Sequence, residues 1–361
     1  MVASDTFYFI RPSHCERQIV NVEGQAQTRR AFIIQWTDAV QKHGQWMFFP
    51  TDQPGEYYIA ARHSGKIASI YDDGLSNALR QYEFFEDPKD FCLQKFLVKE
   101  TREGYYAIHA QRWNDDRGVW DVMRESTLNG ELLFIYDNHS GANQIFRLEA
   151  HEEVTVPTPR QSSVKPYEIG PPPGLTSIDM SPPPESEPVL IGESLVPYFL
   201  VKEAAGAWSG TAYQIEHSPY YVLSRFQLWK LVRSYVHDGR STYEYEVERT
   251  TGFSEEKSQS IEHTISLTLA AEGEFLLKPH TLILKPSLEY SLKVTTTTTS
   301  QHYSEEKVRH KFSLPAVRMR HALWQMVDRY ELRRANGEIV KSWDDLPQTY
   351  YHADAFPPVV S

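Results

Sequence analysis

Gln45-Trp46-Met47-Phe48, Gln94-Lys95-Phe96-Leu97 and Gln144-Ile145-Phe146-Arg147 decide how the front of this sequence is read. The three glutamines stand 49 and 50 residues apart. An aromatic pair opens each interval: Phe7-Tyr8, Tyr57-Tyr58 and Tyr105-Tyr106. Each pair begins a short alternating run (FYFIR, YYIAAR, YYAIHA), and turn-formers such as Asp73-Gly74, Asn129-Gly130 and Ser140-Gly141 separate the runs. A unit of some 50 residues made of short strands cannot bury its own apolar face. Three copies closing around a pseudo-threefold axis can share one core.

This pattern resembles the β-trefoil of the ricin-B type lectins, whose repeats end in Gln-x-Trp or Gln-x-Phe. The second and third repeats carry Gln-x-Phe, and the first carries Gln-x-Met. The aromatic fills the core and does not by itself signal sugar. Sugar binding needs a carboxylate to accept from adjacent hydroxyls, an aromatic face for the C–H side of the ring, and an amide. The resemblance implies such a carbohydrate site in the third repeat: Asp121, Phe134 or Tyr136, Asn143 and Gln144. In the second repeat Asp72, Asp73 and Phe84 are present, but Leu93 stands where the Asn belongs. The first repeat has Trp36 and no carboxylate at the right distance. The bland alternative is an aspartate that ties down a turn.

The chain has 361 residues, a net charge of -11 and 40% hydrophobic residues, with 21 Tyr, 17 Phe and 8 Trp. Its mean hydropathy is -0.51. That is length for two domains, and the aromatics favour pleated surfaces. No apolar run approaches the roughly 20 residues of a membrane helix. The start, MVASDTFYFIRP, has no basic region followed by an apolar stretch, so no secretory signal is expected. The acidic balance argues against a nucleic-acid partner. Two cysteines, Cys15 and Cys92, can pair or stay free but cannot build a disulfide framework or a four-ligand zinc site. No metal or cofactor is expected.

Ten of the 22 prolines fall between Pro157 and Pro188. Proline fixes φ and removes a ladder donor, so residues 153–190 read as an extended spacer without regular structure. The expected organisation is a trefoil over 1–152, this linker, and a second β domain over 191–361.

Beyond Gly192 the period of 50 disappears. Thr264–Leu269 and Ser287–Thr295 alternate apolar and polar residues, and between them lies an apolar stretch broken by Gly273, Pro279 and Pro286. An ordinary antiparallel sheet with one buried face explains the alternation. A transmembrane β-hairpin with one lipid face and one hydroxyl-lined face explains the rest, with Glu262 and Lys293 near the interfaces. Its membrane-facing residues would be Ile265, Leu267, Leu269, Phe275, Leu276, Leu277, Leu282 and Leu284. One hairpin leaves open edges in lipid, so this reading requires a homo-oligomer.

Gly192-Glu193-Ser194-Leu195-Val196-Pro197, then His217-Ser218-Pro219-Tyr220-Tyr221-Val222-Leu223, then Phe226-Gln227-Leu228-Trp229 follow in order, with Tyr243-Glu244-Tyr245 and Ser304-Glu305-Glu306-Lys307 beyond. This order is similar to the Bin-type binary toxins and related bacterial insecticidal crystal proteins. The resemblance implies an all-β chain, a ricin-B-like trefoil joined to an elongated antiparallel aerolysin-like domain. It implies a pore-forming insecticidal protein, made as a bacterial inclusion or crystal and acting at the host gut membrane. A cell-surface glycan or glycoprotein would be its receptor, and proteases would trim its ends, including the tail from Leu346. The hairpin of about 261–295 would then insert. Related proteins often act with a second toxin component, and nothing in this sequence argues for or against one. Tyr220, Tyr221, Phe226 and Trp229 read as packing residues of the sheet.

The competing reading is a two-domain lectin without pore formation. Enzyme signatures are weak: Glu244-x-Glu246 and Glu272-x-Glu274 mimic the paired glutamates of ADP-ribosylating toxins, but such pairs arise by chance in acidic strands. No Gly-x-Ser-x-Gly elbow, phosphate loop or His-Glu-x-x-His is present, so no catalytic residue is assigned.

Overall fold

The computed structural model describes the chain except residues 38–39, 52, 71–76, 86–87, 112–116, 205, 253–254, 266, 270–274, 278–293, 296–304, 348–349 and 359–361, and only the backbone at 88–89, 91, 255, 258, 262, 267–269, 275–277 and 294–295. Two compact units emerge. The first comprises Met1–Pro157 and Leu195–Tyr221; the second holds Thr158–Ser194 and most of the described residues from Val222 onward.

Each repeat of the first unit supplies four strands: β1 (Thr6–Pro12), β2 (Gln18–Val22), β3 (Ile33–Thr37) and β4 (Gln45–Pro50); β5 (Glu56–Ala61), β6 (Ile67–Ile70), β7 (Leu79–Tyr82) and β8 (Phe96–Arg102); β9 (Tyr105–Ala110), β10 (Gly118–Val122), β11 (Leu133–Asp137) and β12 (Phe146–Glu153). Strands β1, β4, β5, β8, β9 and β12 pair in a closed antiparallel ring. Closure leaves no open edge in the barrel. The hairpins β2–β3, β6–β7 and β10–β11 cap it, joined by the bridges Phe32↔Arg80, Ile34↔Leu132 and Ala78↔Phe134. This is the β-trefoil.

Trp46, Phe96 and Phe146 stand 50 residues apart and fill the common core with Ile10, Ile59, Ile108, Trp120 and Leu133. The first repeat therefore departs from the Gln-x-Met reading: Trp46, directly after the glutamine, is the core aromatic. Gln35 and Gln81 are fully buried and stitch repeats together. Their side-chain amides donate to the Ser126 and Leu128 carbonyls and to the Ala26 and Thr28 carbonyls, respectively.

Leu195–Tyr221, expected within the second domain, packs in the first unit as a strap carrying the short helix α1 (Thr211–His217). Phe49 meets Tyr198, Phe199 and Tyr220 at 5.2–5.5 Å between centroids. Tyr198 Oη donates to the Gly65 carbonyl at 2.7 Å, and Thr211 Oγ1 to that of Ser64 at 2.8 Å. Gly65 has φ +63° and a Cβ there would lie 2.3 Å from the Thr211 oxygen, so glycine is required on both counts. Arg62 ion-pairs with Glu152 and Glu216 beneath the strap.

The second unit is a sheet in the order β13 (Val189–Pro197), β14 (Tyr220–His237), β20 (Met319–Arg333), β21 (Ile339–Asp345), with β22 (Tyr351–Phe356) also on β20. Strands β14 and β20 pair from Val222↔Arg333 to His237↔Met319. Inside the sheet Arg225 grips Asp328 through two bonds of 2.8 and 3.0 Å, and Gln227 donates to the same carboxylate at 2.9 Å. Of the four residues expected to pack, Tyr220, Tyr221 and Trp229 are buried and Phe226 is half-buried.

The proline-rich stretch lacks strands up to Val189, yet it is no free spacer. Leu175 is buried with Trp229, Ala322, Trp324 and Met326, and Tyr167 and Ile169 pack against that cluster. The Tyr167 amide donates to Gln227 Oε1 at 2.6 Å, and Leu231 N bonds the Pro184 carbonyl at 2.9 Å. Its few apolar residues and its free backbone groups find partners on the sheet, which a proline count does not reveal.

The ribbon β15 (Tyr243–Thr251) and β19 (Glu306–Leu314) forms a separate two-stranded sheet. Between its strands lie α2 (Glu255–Thr264) and the short strands β16 (Leu267–Leu269), β17 (Phe275–Leu277) and β18 (Val294–Thr295), of which β17 and β18 pair in parallel. Residues 261–264, the start of the segment expected to insert as a hairpin, are helical here, and most of the rest of that segment lies outside the described residues. Ile261 and Ile265, one turn apart, are both buried, and the polar run Glu255–Ser260 favours a helix more than a strand.

Candidate functional site

In the third repeat, β10 sets Trp120 and Val122 in the core and turns Asp121 the other way, opposite Phe134 of β11. The loop 138–144 then folds back over it. Gln144 is the centre: its Oε1 accepts from the His139 amide at 2.9 Å, and its Nε2 donates to the Asp137 carbonyl at 2.9 Å and to Asp121 Oδ2 at 2.7 Å. Asn143 Nδ2 donates to Asp121 Oδ1 at 3.0 Å and to the Val122 carbonyl at 3.2 Å. His139 Nε2 lies 3.4 Å from Asp121 Oδ2. A Cβ on Gly141 would come within 2.4 Å of the His139 ring and 2.6 Å of Asn143 Oδ1, so a larger residue there would have to displace those side chains.

Asp121 is 2% exposed. Burial raises its pKa above the usual carboxylate value, and the bonds from Gln144, His139 and Asn143 pull against that shift. The structure therefore brings together all five residues that the sequence singled out, with Asp121 and Gln144 inside a rigid node. The groups turned to solvent are Tyr136, 53% exposed, and the His139 ring 6.2 Å from it. Phe134 is half-buried, 5.5 Å from Tyr136. Asn143 Oδ1 is a buried acceptor with no hydrogen-bond partner. A ligand here could use the Tyr136 face and the His139 edge.

The strand registers identify the equivalents in the other repeats. Ser69 and Asn21 occupy the Asp121 position, opposite Arg80 and Ile34. In the second repeat Gln94 repeats the node, with Nε2 donating to Ser69 Oγ at 2.8 Å and the Glu83 carbonyl at 2.9 Å, and Oε1 accepting from Phe85 N. A hydroxyl has replaced the carboxylate. Tyr82, the counterpart of Tyr136, is 5% exposed, and Phe84 is stacked on Phe199 at 5.1 Å. Asp72 and Asp73 lie outside the described residues.

In the first repeat Gly44, not Gln45, holds the place of Gln144, for the turn Lys42–Gly44 matches Ala142–Gln144; a Cβ on Gly44 would lie 2.3 Å from Ile19. Gln45 Oε1 instead accepts from Arg62 at 2.7 Å. A pocket of about 240 Å³ is lined by Asn21, Gln25, Ile34, Trp36 and His43. Trp36 is 44% exposed. Sequence reasoning missed this pocket by requiring a carboxylate. The signal was available: Asn21, Trp36 and His43 lie 100 residues before Asp121, Tyr136 and Asn143.

In the second unit the ribbon alternates. Val247, Arg249, Thr251 and Leu314 are buried, with Tyr245, His310 and Phe312 on the same face, while Glu244, Glu246, Glu248, Lys307, Arg309 and Lys311 face solvent. Tyr245 Oη bonds His321 Nδ1, and Arg249 Nε donates to His310 Nε2 at 2.8 Å. Of the glutamates weighed as catalytic, Glu246 pairs with Arg309 and Glu244 is exposed; their neighbour Glu248 pairs with Arg309 and Lys307. Glu272 and Glu274 lie outside the described residues, as do Lys293, Leu282 and Leu284. Ile265 is buried; Leu267 and Leu269 fall in β16, and Phe275, Leu276 and Leu277 in β17. Among the described residues no three metal-ligating side chains converge, and Cys15 and Cys92 are not joined in a disulfide.

Residues 189–358 match the profile of the insecticidal crystal toxin family, P42. The chain is 24% identical over 317 residues to a binary larvicide subunit BinA of Lysinibacillus sphaericus, covering 86% of this chain and 80% of that one. A second BinA sequence from the same organism is 22% identical over the same span. The crystal structure of Cry35Ab1 superposes with a TM-score of 0.73, covering 99% of this chain and 91% of the other at 16% identity. That likeness shows the fold, a trefoil followed by a β domain. Residues 189–358 thus carry the profile of the insecticidal crystal toxin family, and the chain as a whole is similar to the binary larvicide subunit BinA in sequence and to Cry35Ab1 in fold.

Proposed function

We propose that the protein is a non-enzymatic pore-forming toxin, in which the trefoil engages a glycan or glycoprotein on gut epithelium and the segment between β15 and β19 inserts into the membrane of an assembled oligomer. The observation that carries the reading is the ribbon register. Thr251 is paired with Glu306, so both ends of the long insertion start side by side. Continued residue for residue, that register would set Ile265 beside Leu292, Leu267 beside Tyr290 and Leu269 beside Leu288, and would put the turn at Lys278-Pro279. One face of such a hairpin would carry Ile261, Ile265, Leu267, Leu269, Phe275, Leu277, Leu282, Leu284, Leu288, Tyr290, Leu292 and Val294. The other would carry Thr264, Ser266, Thr268, Ser287, Ser291 and Thr295, with Glu272 directly opposite Lys285. Leu276, expected on the lipid side, falls on the polar face. Each arm is long enough for the roughly 9–11 residues of a crossing strand.

The third-repeat node supports the receptor role, since it holds Tyr136, His139 and Asn143 in fixed geometry. The pocket over Trp36 offers a second aromatic platform, with an amide in place of the carboxylate. Synthesis as a bacterial inclusion, protease trimming and a second component remain part of this reading through the family.

Dye release from vesicles after protease treatment tests it, because a plain lectin would leave them intact. Ser260 of α2 and Ser342 of β21 line one pocket. Bridging Ser260→Cys and Ser342→Cys with a short bismaleimide, in a Cys15→Ser/Cys92→Ser background, should block release and leave surface binding unchanged. Release that persists in the bridged protein overturns the insertion.

A further inference from the structure

The ribbon β15–β19 is a two-stranded sheet, so each strand has a second edge, and among the described residues no strand occupies either one. An edge of nine residues in extended geometry is a template for another strand. Proteins guard such edges with charge, and here the charge is sorted rather than mixed. On the solvent face β15 carries an acidic row, Glu244, Glu246 and Glu248; β19 carries a basic row, Lys307, Arg309 and Lys311. Within one chain the two rows already match, with Glu246 opposite Lys311 and Glu248 opposite Arg309.

We infer that these two edges are the subunit interface of the assembled protein: the acidic edge β15 of one copy pairs antiparallel with the basic edge β19 of the next. The occupant is a second copy of this chain, because the two rows complement each other in the register that the hairpin itself uses. Neighbouring strands of a sheet lie about 4.8 Å apart with same-face side chains opposed. Each acidic row would then be flanked by basic rows on both sides, and each basic row by acidic ones. Two like edges set together would oppose three charges to three of the same sign. The contact is head to tail, so it propagates around a ring and closes if the rotation allows. The opposite, aromatic face takes no part, since Tyr245, Val247, Arg249, His310 and Phe312 lie on it.

This inference rests on the assembly proposed above, and the test separates the two. One variant carries Glu244→Lys, Glu246→Lys and Glu248→Lys; the other carries Lys307→Glu, Arg309→Glu and Lys311→Glu. Each alone should lose oligomer formation on vesicles that the unaltered protein permeabilises, by at least tenfold in cross-linked yield. An equimolar mixture should restore it, because acid then meets base at every contact. Near-UV circular dichroism checks that each variant is folded. The single changes Glu246→Lys and Lys311→Glu, mixed in the same way, give the same readout should a triple variant fail to fold. Assembly of either folded variant alone at the unaltered yield, or failure of the mixture to recover, overturns the interface and leaves the pore reading standing. Absence of oligomer from the unaltered protein on vesicles that it permeabilises overturns both.

Discussion

Replacing Asp345 with Asn should remove a pH dependence from the stability of the second unit. Asp345 ends β21, is 1% exposed, and sits opposite Asp328 in the sheet. Neither of its carboxylate oxygens has a hydrogen-bond partner of full geometry. Burial pushes its pKa from 3.8 up to about 7; the neighbouring Asp328 adds to the rise, while the Leu346 amide, Arg225 and Lys257 oppose it. The folded state therefore holds a proton that the unfolded chain releases above about pH 4. Stability falls as pH rises from there to about 7 and is level beyond. A rise of roughly three units corresponds to about 4 kcal/mol. Asn keeps the shape without the charge, at the expense of its own amide group, so about 2 kcal/mol or more should be regained at pH 8 and almost nothing at pH 4. For a unit of this size that is roughly 4–8 °C in Tm. Melting curves of both proteins from pH 4 to 9 read the difference directly. Parallel curves across that range would refute the reasoning, since the penalty would then lie elsewhere than in Asp345.

Other outcomes follow from the same geometry. Gln144→Ala removes three bonds and leaves Asp121 with one donor fewer in a buried place, so urea unfolding of the trefoil should lose about 2–4 kcal/mol, whereas the exposed Tyr136→Ala should cost under about 1 kcal/mol. Gly65→Ala forces a Cβ onto the Thr211 carbonyl at positive φ and should free the strap, seen as protease cleavage within Leu195–Tyr221 at concentrations that spare the unaltered chain. His310 is held below its ordinary pKa by burial and then by Arg249, with the tilted Tyr351 ring 4.3 Å away; burial does the same to His321 against the pull of Asp354, with Tyr245 bonded to it. Both are neutral in the fold, so the ribbon should lose stability as pH falls below about 6.5. His310→Gln with His321→Gln should flatten that acid limb in tyrosine near-UV dichroism, and an unchanged limb would contradict the assignment.

The trefoil was legible because its repeat is a packing requirement. An aromatic must return to the axis every 50 residues, and Trp46, Phe96 and Phe146 do so. The residues around Gln144 were legible through the lectin resemblance, but as sugar ligands; that Asp121 spends its oxygens on Asn143 and Gln144 appears only in the fold. What escaped was substitution within a repeated geometry: Ser69 accepts from Gln94 as Asp121 does from Gln144, while in the first repeat Asn21 takes only the position and Gly44 stands where the glutamine would be. The proline-rich stretch misled because a missing ladder donor excludes strands but not burial, and Leu175 supplies the anchor. The strap could not be assigned from sequence, since Phe49 and Gly65 recognise it only across the fold. Helix α2 overrode the alternation at its own end because Ile261 and Ile265 satisfy a helical spacing as well as a strand one.

The central claim is that the segment between β15 and β19 enters the bilayer in the register of its ribbon. An environment-sensitive fluorophore placed on single cysteines from Thr264 to Leu269, one per protein, measures this on vesicles during dye release. The account predicts emission that alternates, shifted to lipid values at Ile265, Leu267 and Leu269 and remaining aqueous at Thr264, Ser266 and Thr268. Dye release with uniform emission along these six positions would contradict it.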